Sequence, residues 1–307
     1  MRIRLFQFCT ITLLILVVQF STSGQTPNSA ISHYRDGASK VGKGDLDGAI
    51  EDYSRAIAIS SRLGPAASSD SEAAKIKVID PFTANAYANR GVARYRKGDF
   101  EGAKIDFDEA IRLRPGLSVA YLNRASARRE LGDLTGALAD VDKAIKIDPK
   151  MFEAYNNRGA LRHDMGDISG ALEDFDQAVK LNSKIAEPFY LRGYARISSK
   201  DYIGARADFD KALKLSPEMA LAYHGRGTAR MYLGNLENAI EDFDKAIALN
   251  PDIAWSYFNR GLSLLVLGKE AQAQADFDRC IALKPEVKAE LEERAQIARE
   301  LRRQKTK

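Results

Sequence analysis

Cysteine is nearly absent: 307 residues contain two, Cys9 and Cys280. Cys9 lies in an N-terminal stretch with the marks of removal; after its cleavage Cys280 alone would remain, and no intrachain disulfide could form. The chain must hold itself together by packing. Histidine is almost as scarce, and His33, His163 and His224 are scattered without metal-ligand spacing. Phosphate loop, nucleophile elbow and HExxH helix are all missing. "HGRGTAR" at 224–230 contains Gly-x-Gly but no strand precedes it. The expectation is therefore no catalytic residues, no metal and no cofactor: the chain does not read as an enzyme. A dominant sign of charge is lacking too. The formal charge of +4 comes from 46 basic and 42 acidic residues, and it drops by two if Arg2 and Arg4 are lost. Mixed charge of this kind is no nucleic-acid footprint.

What is present begins with a leader. Arg2 and Arg4 precede an apolar run from Leu5 to Phe20, and the small residues of "STSGQ" follow. This pattern predicts a signal peptide over residues 1–24, with Thr22 and Gly24 ahead of a cut before Gln25 or Ser21 and Ser23 as an equal alternative, and a secreted or periplasmic protein. The alternative is a membrane anchor formed by residues 5–20. That run is interrupted by Gln7, Thr10, Thr12 and Gln19 and is short for a span of about 20 residues. With 45% hydrophobic and 29% charged residues, the rest can bury a core.

The remainder repeats with a step of 34. Arginines followed by Gly or Ala stand at Arg90, Arg124, Arg158, Arg192, Arg226 and Arg260. Aspartate pairs open at Asp106, Asp140, Asp174, Asp208, Asp242 and Asp276, each with a second aspartate two residues later. Prolines keep the same step at Pro81, Pro115, Pro149, Pro217, Pro251 and Pro285, with Ser183 in the one slot between. Within a unit the spacing predicts two helices. Tyr87, Gly91 and Arg94 share a face of the first, over 84–97; Ala103, Phe107, Ala110 and Ile111 share a face of the second, over 100–114. Gly98 suits the left-handed residue ending the first helix, Asp99 caps the second, and Pro115 stops it.

On these residues (Tyr87, Arg90-Gly91, Arg94, Ala103, Phe107 and Pro115) the chain resembles the tetratricopeptide repeat family, whose 34-residue unit is a helix–turn–helix. The resemblance implies an all-α, right-handed α-solenoid of about seven repeats plus a C-terminal capping helix. The divisions expected are a divergent first repeat over 25–63, an inserted linker over 64–83, repeats 2–7 over 84–287, and the capping helix over 288–307. The insertion runs from Ser61 to Asp80 in the repeat register; its back half, "SEAAKIKVID", suits either helix or strand. In the first repeat Asp36 and Lys40 replace the arginine pair. Val287, Leu291, Ile297 and Leu301 are the apolar residues expected to cover the last repeat.

The repeated arginines, Arg90 and Arg94 in the second unit, occupy places that face inward in the family. A desolvated guanidinium is costly without a carboxylate, and the aspartates recur at the same period. The expectation is an internal ion-pair ladder of Arg90, Arg124, Arg158, Arg192, Arg226 and Arg260 with Asp106, Asp140, Asp174, Asp208, Asp242 and Asp276. Asp108 and its equivalents point to solvent or to the neighbouring unit. The resemblance also implies a concave groove for a protein or peptide partner. Its expected lining is Asn89, Asn123 and Asn157, then Tyr190, Tyr194, His224, Trp255, Phe258 and Asn259: amide-rich first, aromatic-rich later. The function expected is a non-catalytic protein–protein interaction scaffold. Alternatives are a membrane-anchored accessory subunit of an envelope complex, or an anion, phosphopeptide or nucleic-acid binder using the arginines.

Overall fold

A computed structural model describes residues 28–62 and 72–305. The described residues form α-helices joined by short turns, in two compact units divided between Met165 and Gly166. The first unit holds α1 (Asn28–Gly42), α2 (Leu46–Arg62), α3 (Glu72–Arg96), α4 (Phe100–Leu113), α5 (Ser118–Glu130), α6 (Leu134–Ile147) and α7 (Phe152–Asp164). The second holds α8 (Ile168–Leu181), α9 (Ala186–Ser198), α10 (Tyr202–Leu215), α11 (Ala220–Tyr232), α12 (Leu236–Leu249), α13 (Ala254–Val266) and α14 (Glu270–Leu283). A 3₁₀ turn (Pro285–Val287) then leads to α15 (Lys288–Lys305). Each unit is an all-α array of helix–turn–helix repeats, the fold class expected from the period.

The turns follow from local chemistry. Gly44, Gly98, Gly132, Gly166, Gly234 and Gly268 take positive φ at the end of a first helix, where an L side chain is strained. Lys200 occupies the same place in its repeat with φ 65°, the one non-glycine residue there among the described residues. Next come N-caps: the carboxylates of Asp45, Asp99, Asp133, Asp167 and Asp201 accept from the backbone three residues on, at 2.8–2.9 Å.

Packing uses size matching between the two helices of a repeat. A Cβ built on Gly91 would lie 2.7 Å from the Phe107 ring. One repeat later Ala125 replaces the glycine and Val141 the phenylalanine, so a larger residue on one side meets a smaller one on the other. In each unit the first helices of successive repeats also touch one another: α1, α3, α5 and α7 in one, α9, α11 and α13 in the other. They form the inner face of each unit, and α2, α4, α6, α10, α12 and α14 form its outer layer.

Three details add to or alter the expectation. Helix α3 begins at Glu72, so the back half of the insertion is helical and runs unbroken into the second repeat. In the first repeat Asp36 accepts from Ser32 (3.3 Å) and takes no part in holding Asp52. Asp52 instead meets Lys40 Nζ at 2.7 Å and His33 Nδ1 at 3.3 Å. Finally, α15 buries Leu291, Ala295 and Ala298 beside Val287, while Ile297 and Leu301 are 49% exposed. A helix that meets the last repeat along a single stripe leaves its other apolar residues outside.

Candidate functional site: the ladder and the inner face

Each ladder arginine stands near the middle of a first helix and lies over the ring three residues before it. The rings of Tyr87, Tyr121, Tyr155, Phe189, Tyr223 and Tyr257 sit 5.3–5.6 Å from the guanidinium carbons. At Arg90, Arg124, Arg192, Arg226 and Arg260 the guanidinium then forks onto the first aspartate of its own repeat. In the first unit Arg90 reaches Asp106 at 2.9 and 2.6 Å, and Arg124 reaches Asp140 at 2.9 and 2.5 Å. In the second unit Arg192–Asp208, Arg226–Asp242 and Arg260–Asp276 repeat this at 2.6–3.0 Å. The second arginines add a third bond: Arg94, Arg128, Arg196 and Arg230 lie 2.8–3.0 Å from the same carboxylates.

The remaining guanidinium nitrogen crosses to the preceding repeat. Arg124 meets Asp108 (2.6 Å) and Arg158 meets Asp142 (2.8 Å) in the first unit. In the second, Arg192, Arg226 and Arg260 meet Asp176, Asp210 and Asp244 at 2.5–2.8 Å. Arg90 finds Ser54 Oγ (3.0 Å) in the equivalent place. At Asp108, Asp142, Asp176, Asp210 and Asp244 the second aspartate of the pair thus serves the neighbouring repeat. Asp174, the remaining first aspartate, is buried on α8.

Asp106, Asp140, Asp208, Asp242 and Asp276 are at most 5% exposed. Burial by itself lowers Arg90, Arg124, Arg192 and Arg226, but the carboxylate bonds outweigh it and raise all four above the ordinary arginine value. At Arg260 the Asp276 bond is the largest influence and acts in the same direction. The guanidiniums stay charged and occupied. Desolvation offsets much of the Coulomb gain of such pairs, while removing one partner leaves an uncompensated buried charge.

The residues expected to line a groove are placed differently. Asn89, Asn123, Asn157, Tyr190, Tyr194, His224, Phe258 and Asn259 are all buried, at most 7% exposed. Asn89, Tyr194, His224 and Asn259 bridge to a neighbouring first helix. Asn89 donates to the Tyr34 hydroxyl (2.9 Å) in the first unit. Asn157 borders a shallow depression with Ala125, Ser126, Arg129 and Leu161. Neither amide atom of Asn123 or Asn156 has a hydrogen-bond partner among the described residues. In the second unit Asn259 donates to Thr228 Oγ1 (3.1 Å), and His224 Nδ1 meets Ser256 Oγ at 3.1 Å. Tyr190 and Tyr194 pack edge to face at 4.9 Å, and the Tyr194 hydroxyl donates to the Leu221 carbonyl. Phe258 belongs to the core cluster that contains Leu291, Ala295 and Ala298 of α15. Only Trp255 of the nine is half-exposed, against Phe258 at 5.1 Å.

Accessible positions occur at the second residue of four first helices, though Glu187 at this place in α9 is buried. Val119 and Glu153 are half-exposed in the first unit, and Leu221 and Trp255 in the second. The 34-residue step contains this row, but a sequence does not show which residues the next helix covers. Near the other end of the first-unit helices, Arg129 is buried and paired with Asp164, and the Tyr95 hydroxyl donates to Glu130 (3.3 Å). These are further bridges between repeats. Cys280 is fully buried, and burial pushes its thiol up to about 11. Among the described residues no group of His, Cys, Asp and Glu could hold a metal ion, and no helix is long and apolar enough to cross a membrane.

Comparison with known proteins agrees with this geometry. Family models described as tetratricopeptide repeat match residues 84–117, 156–220, 220–253 and 243–275, and one described as TPR repeat matches 125–166. Together they span more than half of the chain. Among solved structures, a tetratricopeptide repeat protein from Parabacteroides merdae ATCC 43184 is 24% identical with a TM-score of 0.63, covering 88% of this chain and 100% of its own. PilW, described as a type IV pilus biogenesis factor, is 20% identical with a TM-score of 0.61, covering 66% and 94%. YrrB, described as a TPR protein with an unusual peptide-binding site, is 22% identical with a TM-score of 0.50, covering 64% and 98%. These likenesses establish the fold. No curated protein matches the sequence.

Proposed function

The chain belongs to the tetratricopeptide repeat family, whose arrays are protein–protein interaction scaffolds, and on that premise we propose that it is a non-catalytic scaffold that holds a partner segment on its inner helices. The observation that carries this reading is the occupancy of the arginines. Arg124, Arg192, Arg226 and Arg260 each already fork onto carboxylates of their own and the preceding repeat, and Arg90 onto Asp106. An anion or phosphopeptide would have to displace them, which weighs against the arginine-based alternatives. What remains for recognition is the half-exposed row of Val119, Glu153, Leu221 and Trp255.

We propose that residues 1–24 act as a signal peptide and direct this work outside the cytoplasm. Residues 1–24 lie outside the described residues, so the proposal rests on their sequence. A mature N-terminus at Gln25 separates a released protein from one anchored by residues 5–20.

A photo-crosslinking residue at Val119 or Leu221 tests the binding reading, with controls at the exposed outer positions Ala139 and Lys211. The expected result is one shared partner crosslinked from the inner positions and absent from the outer ones. Crosslinks of equal yield from both layers contradict it.

A further inference from the structure

The 34-residue register does not stop with the seventh repeat. Leu291, Arg294, Ala295 and Ala298 stand 34 residues after Tyr257, Arg260, Gly261 and Leu264. By sequence, α15 is one more first helix. In the second unit the rule for such helices is strict: the arginine bonds the second aspartate of the preceding outer helix, Arg226 to Asp210 and Arg260 to Asp244. Arg294 therefore belongs on Asp278.

It is not there. Arg294 pairs with Glu290 on its own helix (2.9 Å), and its guanidinium carbon lies 5.9 Å from the Phe258 ring centre. Asp278 accepts from Gln274 of its own helix (2.9 Å). Unlike α11 and α13, which nest against the outer helix before them, α15 packs along α13. Leu291, Ala295 and Ala298 bury against the cluster of Phe258, Leu262, Leu264 and Leu265. Leu264 holds the place of the second ladder arginine, so this inner face is apolar where the others are charged.

The hold on α15 is light. Its buried stripe is one leucine and two alanines, and its flanking ion pairs, Arg299 and Arg302 to Glu270, are exposed. Exposed pairs of this kind add little. One helix thus faces two seats: the inner face of α13, which it occupies, and the ladder end at Asp278, to which its register fits.

We propose that α15 is an internal ligand on the inner face of α13, displaced by a partner's amphipathic helix that presents the same Leu-x3-Ala-x2-Ala stripe. This rests on the scaffold reading and names its partner class. Displacement releases Arg294 to reach Asp278 and uncovers Phe258, Leu262 and Leu265. Covalent linkage gives α15 an effective concentration of about millimolar, so a free helix competes poorly until α15 is weakened.

A fluorescent synthetic peptide of residues 285–305 is the probe, titrated into the full chain by anisotropy. Leu291→Glu, which loosens the chain's own α15, is expected to bind the peptide at least tenfold more tightly than the unaltered protein. Adding Phe258→Ala should abolish that gain. Equal binding by the unaltered protein and Leu291→Glu overturns the proposal, as does binding that survives Phe258→Ala. Should Leu291→Glu lose helix content by circular dichroism, hydrogen exchange on the unaltered chain decides. Amides of α15 are expected to exchange at least tenfold faster than those of α13, and faster still with excess peptide. Equal rates in the two helices refute an internal ligand. Crosslinks from Val119 and Leu221 without peptide binding would sink this inference alone, and peptide binding without those crosslinks would sink the scaffold reading of the inner rows.

Discussion

His224 offers a stability test whose size comes directly from the structure. The ring is buried on α11 against Phe243 at 5.8 Å, and its Nδ1 meets Ser256 Oγ. Burial alone pushes it down to about 4 from 6.5. The unfolded chain therefore binds a proton between pH 6.5 and 4 that the folded chain refuses, so stability rises with pH across that window. The contribution is fully present above pH 6.5, falls as the pH drops toward 4, and falls no further below it. Two and a half units correspond to about 3 kcal/mol. His224→Gln keeps a hydrogen-bonding group for Ser256 but does not titrate. Urea unfolding of both proteins at pH 7.5 and pH 4 isolates the effect, because all other groups cancel in the difference. The unaltered protein should lose about 3 kcal/mol more than the variant. Parallel losses would refute the buried neutral imidazole.

Other residues give independent tests. Asp108 is half-exposed and holds Arg124 from the preceding repeat, so Asp108→Ala should cost under about 1 kcal/mol in urea unfolding; a loss several times larger would mean the exposed rail carries the array. Lys200→Gly should raise stability by about 1 kcal/mol, since φ 65° strains the lysine, and an unchanged unfolding midpoint would count against that strain. Asn123→Leu should stabilise by about 1 kcal/mol, because both amide atoms are buried without protein partners. A destabilised Asn123→Leu protein would show that the amide is satisfied in solution.

The helices and their pairing were legible because one spacing repeats without slippage. Gly98, Asp99 and Pro115 mark turn, cap and stop by local chemistry that needs no tertiary information. The ladder was legible from stoichiometry: an inward arginine demands a carboxylate, and Asp106 and Asp108 recur at the same step. The direction of Asp108 was open between solvent and the next repeat, since that choice depends on how repeats stack. Stacking also decides the fate of Asn89, Tyr190 and Phe258. Their positions on the first helix are clear in the sequence, yet the next helix covers them and leaves Val119 and Leu221 accessible. For α15 the apolar residues fit two seats, and only packing separates Leu291 and Ala295 from Ile297 and Leu301. Lys200 was hidden because its left-handed turn is imposed by a register that the other repeats fill with glycine.

That the repeated arginines are internal structure is tested by a double-mutant cycle on Arg124 and Asp140. Asp140→Ala strands two half-buried guanidiniums and should cost about 3–5 kcal/mol, while Arg124→Leu/Asp140→Ala should recover part of that loss. The predicted coupling is about 2–3 kcal/mol in urea unfolding. A coupling near zero, with Asp140→Ala close to neutral, would contradict the ladder and return the arginines to solvent and to ligands.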